Sequence, residues 1–328
     1  MMQRSELDAE PLLREVAAWP ELPQLSDVSR HELIALSRRR GIDFATALLF
    51  DRVRISPTHG GLLNECTKPH PPEALSADVR NLTWAIVPGA FYREHPETGA
   101  DGASLRSYAK EQGIHCEVVP TQSFGTLDVN TTILQEWLGR RRDEPLVLIS
   151  LSKGSLEVRR LLERREAAST LHSVRAWINL AGILSGSPLV QWLLKRPWRA
   201  TAVRAAFWWK GYDFNVVREL DRTPELVNPT WSLPRGMDAI HVVGFALNRH
   251  LSSALMRRGH RRLADYGPND GAGIVLADIV DWPGMIYPVW GADHYLRTSH
   301  DEMSLLVTRV LNYLDQHRTS ISLLRASS

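Results

Sequence analysis

Between Leu82 and Trp290 the chain alternates short apolar runs with amphipathic stretches of helical period, and that rhythm admits few folds. Strand-like runs span Leu82–Val87, Ile114–Val119, Leu146–Ile149, Val174–Leu180, Ile240–Phe245 and Met285–Trp290. Between them lie helical stretches such as Ala103–Gln112, which stops at Gly113, and Asp128–Arg142. Strands this apolar, joined by connections long enough for a helix, belong in a parallel sheet buried on both faces. The expected architecture is therefore α/β, with a mostly parallel central sheet flanked by helices. A last helix is expected to open on the capping pattern Ser299-His-Asp-Glu302 and to bury Met303, Leu306, Val310 and Leu314.

The third run continues as Pro145-Leu-Val-Leu-Ile-Ser-Leu-Ser-Lys-Gly-Ser-Leu156. It reads as a strand, a tight turn with Ser152 at its apex, and a helix carrying Leu156, Leu161 and Leu162 on one face. Strand, serine turn and helix make up a nucleophile elbow. Strand and helix nearly touch there, so the residues two before and two after the serine must be small. Gly154 meets that demand, and Ser150 stands where glycine is usual.

A serine hydroxyl is a weak nucleophile until a base takes its proton, and the base needs an acid to fix its tautomer. The last strand runs into Gly291-Ala-Asp-His294, which puts His294 at the same sheet edge as Ser152. The strand before it leads through a helical stretch to Tyr266-Gly-Pro-Asn-Asp270-Gly271, where Asp270 sits in a turn. Rival acids are Asp278 and Asp281, in the approach to the last strand, and Asp293, too close in sequence to His294 for easy in-plane pairing.

The segments ISLSKGS, GPNDG and VWGADHYL, in this order among the strands, resemble the α/β-hydrolase superfamily on its lipase and esterase side. The resemblance extends from residue 82 to 316, about three quarters of the chain. It implies an α/β-hydrolase fold that cleaves carboxylic esters of apolar acyl groups through a Ser–His–Asp triad and an acyl-enzyme. Carried over residue by residue, Ser152 is the nucleophile, His294 the general base and then acid, and Asp270 the orienting acid. A thioesterase or acyltransferase would use the same triad, and an inactive binding protein could keep the same fold. The oxyanion hole needs two backbone N–H donors. One is expected from Lys153, the other from the turn Val87-Pro88-Gly89-Ala90-Phe91, where Gly89 permits close approach and Ala90 or Phe91 are the alternative donors.

Residues 1–80 are expected to form a helical extension, and 81–328 the hydrolase domain. In the extension, Ser29-Arg-His-Glu32 is a capping box for a helix that stops at Gly41, and Asp43 to Arg54 carries Phe44, Ala47, Leu48 and Phe50. A loop-rich connection follows, with Pro57, Gly60, Gly61, Pro69, Pro71 and Pro72. An insertion at about 183–235 holds Trp192, Trp198, Trp208, Trp209 and Trp231, five of the chain's 11 tryptophans, punctuated by Pro188, Pro197, Pro224, Pro229 and Pro234. It leaves the carboxyl edge of the sheet, where ligands bind. The expectation is a lid whose aromatic face, Phe207, Trp208 and Trp209, receives an apolar acyl group together with Phe91. His59-Gly60-Gly61 resembles an esterase oxyanion loop but follows a poor strand, so a structural role is expected. His115 and His241 are expected to be structural strand residues, and His172 and His260 to be solvated.

Composition limits the remaining classes. With 39 basic and 37 acidic residues among 328, nothing marks a nucleic-acid binder. Arg38–Arg40 and Arg140–Arg142 fall at expected helix ends, where they complement the helix dipole. No G-x-G-x-x-G, phosphate loop or H-E-x-x-H follows a strand, so neither cofactor nor metal is expected, and the expected partner is a small acyl ester. The apolar runs are far short of a membrane span, and Cys66 and Cys116 lack disulfide or metal spacing. The N-terminal residues lack the apolar block of a signal peptide, and a cytoplasmic location is the default expectation.

Overall fold

The six expected strands all form and pair only in parallel, in the order β2-β1-β3-β4-β5-β6. They are β1 (Thr83–Val87), β2 (Cys116–Val118), β3 (Leu146–Leu151), β4 (Val174–Leu180), β5 (Asp238–Phe245) and β6 (Met285–Trp290). The computed structural model describes residues 4–68, 75–228, 230–296 and 300–326. The expected cap at Ser299, the prolines at 69, 71 and 72, and Pro229 lie outside the described residues.

Before β1 come α1 (Arg4–Ala17), α2 (Arg30–Arg40), α3 (Ile42–Ile55), α4 (Gly60–Cys66) and α5 (Ala77–Arg80). Next, α6 (Ala103–Glu111) joins β1 to β2, and α7 (Leu127–Gly139) joins β2 to β3. The elbow helix α8 (Lys153–Leu162) and α9 (Ala167–Thr170) precede β4. The insertion holds α10 (Pro188–Leu194), α11 (Pro197–Trp209), α12 (Asn215–Arg218) and α13 (Pro224–Val227). Finally, α14 (Ala254–Arg262) lies between β5 and β6, and α15 (His300–Ala326) ends the described chain.

The helices form two layers. On one side α8 packs on β3 and against α7, while α15 lies with α4, α5 and α6, and α3 and α4 rest on β6. Residues ahead of β1 belong to the sheet's own core. Every residue from Phe44 to Val53 is buried in α3, and one apolar cluster runs from Ala9 through the strands to Leu314. Phe50 packs against Phe245 and Trp290, at ring-centroid distances of 5.9 and 4.6 Å. The buried Arg52 ties the end of α1 and the loop after it to α3, donating to the carbonyls of Leu22 (2.7 Å), Val16 and Trp19 (both 3.1 Å) and pairing with Asp51. The segment before residue 81 thus contributes side chains to the same apolar cluster as the strands. At α2 the expected capping box is present, with Ser29 and Glu32 bonding each other's backbone amides and Gly41 ending the helix at φ +91°.

Candidate active site

Strand order determines where a cleft can open. The chain passes from β1 outward to β2, then returns to β3 on the other side of β1, so the loops leaving β1 and β3 diverge. That switch point is where ligands bind in open parallel sheets. Val87 and Ser150 are register partners, so both strands release their loops at the same level.

Ser152 occupies the apex between β3 and α8 at φ +47°, ψ −113°. A non-glycine residue held there costs about 1–3 kcal/mol and persists only where the surroundings enforce it. They do so through backbone bonds, Ser152 N–H to Leu180 O (3.1 Å) and Ile183 N–H to Ser152 O (3.2 Å). A Cβ on Gly154 would lie 2.5 Å from the carbonyl oxygens of both Val87 and Pro88, so only glycine lets α8 start against the β1 turn. Ser150 is accommodated differently. Its side chain is fully buried, and its Oγ accepts from Trp177 Nε1 and bonds Ser155 Oγ, each at 2.7 Å.

Three side chains from three loops meet in one hydrogen-bonded chain. Ser152 Oγ is 3.2 Å from His294 Nε2, and His294 Nδ1 is 2.6 Å from Asp270 Oδ2. The other carboxylate oxygen, Asp270 Oδ1, accepts from the amides of Ala272 (3.0 Å), Gly273 and Ile274 (both 2.9 Å). Burial alone would favour a neutral Asp270, but the His294 charge, its hydrogen bond and these amides outweigh it, and the carboxyl titrates below its ordinary value. Burial likewise opposes an imidazolium at His294, yet the facing Asp270 prevails and raises the histidine.

Two backbone amides are left beside the serine. In the turn after β1, Gly89 N–H donates to Ala100 O (2.9 Å) and Phe91 N–H to Ser123 O (3.3 Å). Ala90 N–H has no acceptor among the described residues, and neither does Lys153 N–H at the first position of α8. A Cβ on Gly89 would sit 3.5 Å from Ser152 Cβ and 3.2 Å from Leu151 O, which measures how closely this turn approaches the serine. Of the three neighbours left open by sequence, the structure leaves the Ala90 amide unspent. The Lys153 side chain turns away into the protein, where it pairs with Glu157, both being almost fully buried. Asn130 Nδ2 also donates to Glu157 Oε1 at 2.7 Å. Burial raises the Glu157 carboxyl despite these partners.

Apolar surface next to the turn comes from an aromatic group the sequence identified only in part. Phe91 packs on Phe124 (4.8 Å between centroids), which stacks on Tyr212 (3.5 Å) and meets Phe207 edge-on (5.9 Å). Phe124 and Tyr212 were not expected there; a lone Phe in the loop after β2 carries no periodic signal. Trp208 and Trp209 correct the expectation of a substrate-facing pair, being 81% and 82% exposed. Successive helical residues point about 100° apart, so Phe207 facing inward turns the next two outward. Of the other tryptophans, Trp231 is buried against Trp177 (5.8 Å), Trp192 lies under Arg196, Arg199 and Arg262, and Trp198 is exposed.

The remaining candidates have structural places. His59 is buried, and its Nδ1 accepts from Ile286 N–H on the edge strand β6 (3.2 Å). His241 bonds Asn179 and the Pro283 carbonyl (both 2.9 Å), and burial pushes it down to about 4. His172 is exposed as expected, but two histidines differ from expectation. His115 precedes β2 and is exposed beside Glu117, because that edge strand begins only at Cys116. His260 is buried on the inner side of α14, and burial lowers its pKa. Asp278 is held by Arg30 (2.7 Å) and Arg222 (2.6 Å), Asp281 by Arg30, and Asp293 by the Ser252 amide (2.9 Å) and hydroxyl. Among the described residues no cluster of three histidine, cysteine or carboxylate side chains could hold a metal, and no helix is long and apolar enough to cross a membrane. Two surface cavities, of about 700 and 360 Å³, are lined by residues remote from Ser152 in the fold, the first around His59 and the second beneath α15.

No family model matches the sequence, and no curated protein matches it. Solved structures do resemble it in fold. A metagenomic carboxyl esterase aligns with TM-score 0.58 at 19% identity, over 76% of this chain and 80% of its own. The Bacillus licheniformis lipase BlEst2, in its propeptide form, aligns with TM-score 0.53 at 17% identity, over 72% of this chain and 52% of its own. The chain therefore spans only about half the length of that lipase form. At such identities the likeness is one of fold.

Proposed function

The chain has the α/β-hydrolase fold, and on that premise we propose that it is a serine hydrolase cleaving carboxylic esters of apolar acyl groups. The observation that carries this reading is the continuous chain from Ser152 Oγ through His294 to Asp270, beside two unspent amides. Ser152 attacks the ester carbonyl while His294 Nε2 takes its proton. Asp270 holds the Nδ1 proton in place and favours the imidazolium that forms. The developing oxyanion lies between the Ala90 and Lys153 amides, preorganised donors of the kind that stabilise such charge most effectively. His294 then protonates the leaving alkoxide, and the alcohol departs, leaving an acyl-Ser152 ester. A water molecule deprotonated by His294 attacks that ester, and the same steps in reverse release the carboxylic acid and restore the serine. Phe91, Phe124, Phe207 and Tyr212 provide the apolar wall beside the turn, suited to an acyl chain rather than a charged group. Turnover of a series of chromogenic acyl esters, with Ser152→Ala as control, tests the proposal. Activity surviving unchanged in Ser152→Ala would end it.

A further inference from the structure

The outer side of α11 is apolar and uncovered. Trp198, Thr201, Ala202, Ala205, Trp208 and Trp209 recur at spacings of three and four, so they share one helical face, and all six are exposed. Four of the six large hydrophobic side chains most exposed on the described surface lie here or on neighbouring α14: Trp198 (68%), Trp208, Trp209 and Leu255 (63%). A face of tryptophans kept in water without a partner is a docking surface in its physical character.

Charge indicates the partner. From Ala167 to Tyr212 the sequence has no acidic residue, while Lys195, Arg196, Arg199, Arg204 and Lys210 occupy or flank α11. Four arginines crowd α14, again with no acid between Ala239 and Ala264. The two helices adjoin: Arg262 lies over the Trp192 ring at 4.0 Å, within electrostatic reach of Arg196, Arg199 and Arg258. None of these cations forms an ion pair among the described residues. Tryptophan favours the headgroup level of a bilayer, with its ring in the apolar boundary and its N–H in water, and a basic rim adds attraction to anionic lipid. A protein partner helix would match the apolar face equally well but gives no reason for so broad a cationic rim, which acids border only at Asp213 and Asp265 in the sequence.

We propose that α11, with the basic face of α14, docks this protein on the surface of an anionic phospholipid bilayer, the helix lying in the interface plane. The inner side of α11 bears Phe207, which packs on Phe124 beside the Phe91 turn, so docking brings the candidate site to the lipid. The inference is independent of the ester chemistry, since binding is read without turnover.

The test is co-sedimentation of the full-length Ser152→Ala chain with vesicles of phosphatidylcholine containing phosphatidylglycerol, against phosphatidylcholine alone. Strong binding is expected only to the anionic vesicles, weakening as salt is raised. Arg204→Gln with Lys210→Gln should weaken it about tenfold or more, since each cation near the surface contributes about fivefold. Trp198→Ala with Trp209→Ala should weaken it as well, with an unchanged melting temperature showing that the fold is intact. No preference for anionic vesicles, or equal binding by the variants, overturns the proposal. So does self-association in sedimentation equilibrium that the tryptophan variant abolishes, which would make a second copy the occupant of this face.

Discussion

Trp177 on β4 donates its indole N–H to Ser150 Oγ on β3 at 2.7 Å, and this bond accounts for a serine where an elbow usually has glycine. The Ser150 side chain does not compete for space at the turn; it bridges Trp177 and Ser155 inside the core. Ser150→Ala keeps the Cβ but strands the buried indole donor. The expected result is a loss of about 1–3 kcal/mol in urea unfolding, with stoichiometric labelling of Ser152 by a fluorophosphonate retained. An unchanged unfolding midpoint would show that the bond contributes nothing to stability.

The nucleophile assignment makes a direct prediction. Ser152→Ala should abolish fluorophosphonate labelling and reduce kcat by about 10⁴-fold or more. Peptide mapping that finds the label on Ser155 instead would move the elbow register.

The pH dependence follows from the His294–Asp270 pair. His294 serves as a base only when neutral, and Asp270 raises its pKa above the ordinary 6.5. The kcat/KM profile should therefore climb with pH to a half-maximum above that value. In Asp270→Asn the main raising charge and its hydrogen bond are gone, and burial, which favours the neutral ring, is opposed only by the Asp293 charge. The acidic limb should move to lower pH while kcat falls by about 10⁴-fold. A limb that stays in place in Asp270→Asn would rule out this coupling.

Lys153 and Glu157 form an ion pair with both side chains about 2% exposed. Removing one partner leaves a buried charge. Lys153→Met should cost about 3–5 kcal/mol, whereas Lys153→Met combined with Glu157→Leu should cost much less. Denaturant melts of the three variants measure the coupling. Additive losses would indicate that the pair is not the unit of stability.

Chain-length preference separates the two sides of α11. Phe207→Ala should flatten the rise of kcat/KM with acyl length, normally about 0.8 kcal/mol per buried methylene. Trp208→Ala should leave that slope intact for soluble esters, because its ring faces outward. The opposite result would place Trp208 at the acyl chain.

The sequence by itself determined the strands β4 and β6 to the residue, the parallel sheet, the elbow at Ser152 and the loops carrying Asp270 and His294. These are local matters: an apolar run bounded by turn residues, a helical period, a glycine where backbones nearly touch. Only the tertiary structure decided which amide beside Gly89 stays unspent, because the competing acceptors, Ala100 O and Ser123 O, come from other loops. It also decided that α3 belongs to the sheet's core and that His260 is buried while His115 is exposed. The two sides of α11 were beyond the sequence for the same reason. Its period shows that Phe207 and Trp208 face different ways, but which of them meets protein depends on Phe124 and Tyr212, and those contacts exist only once the chain has closed on itself.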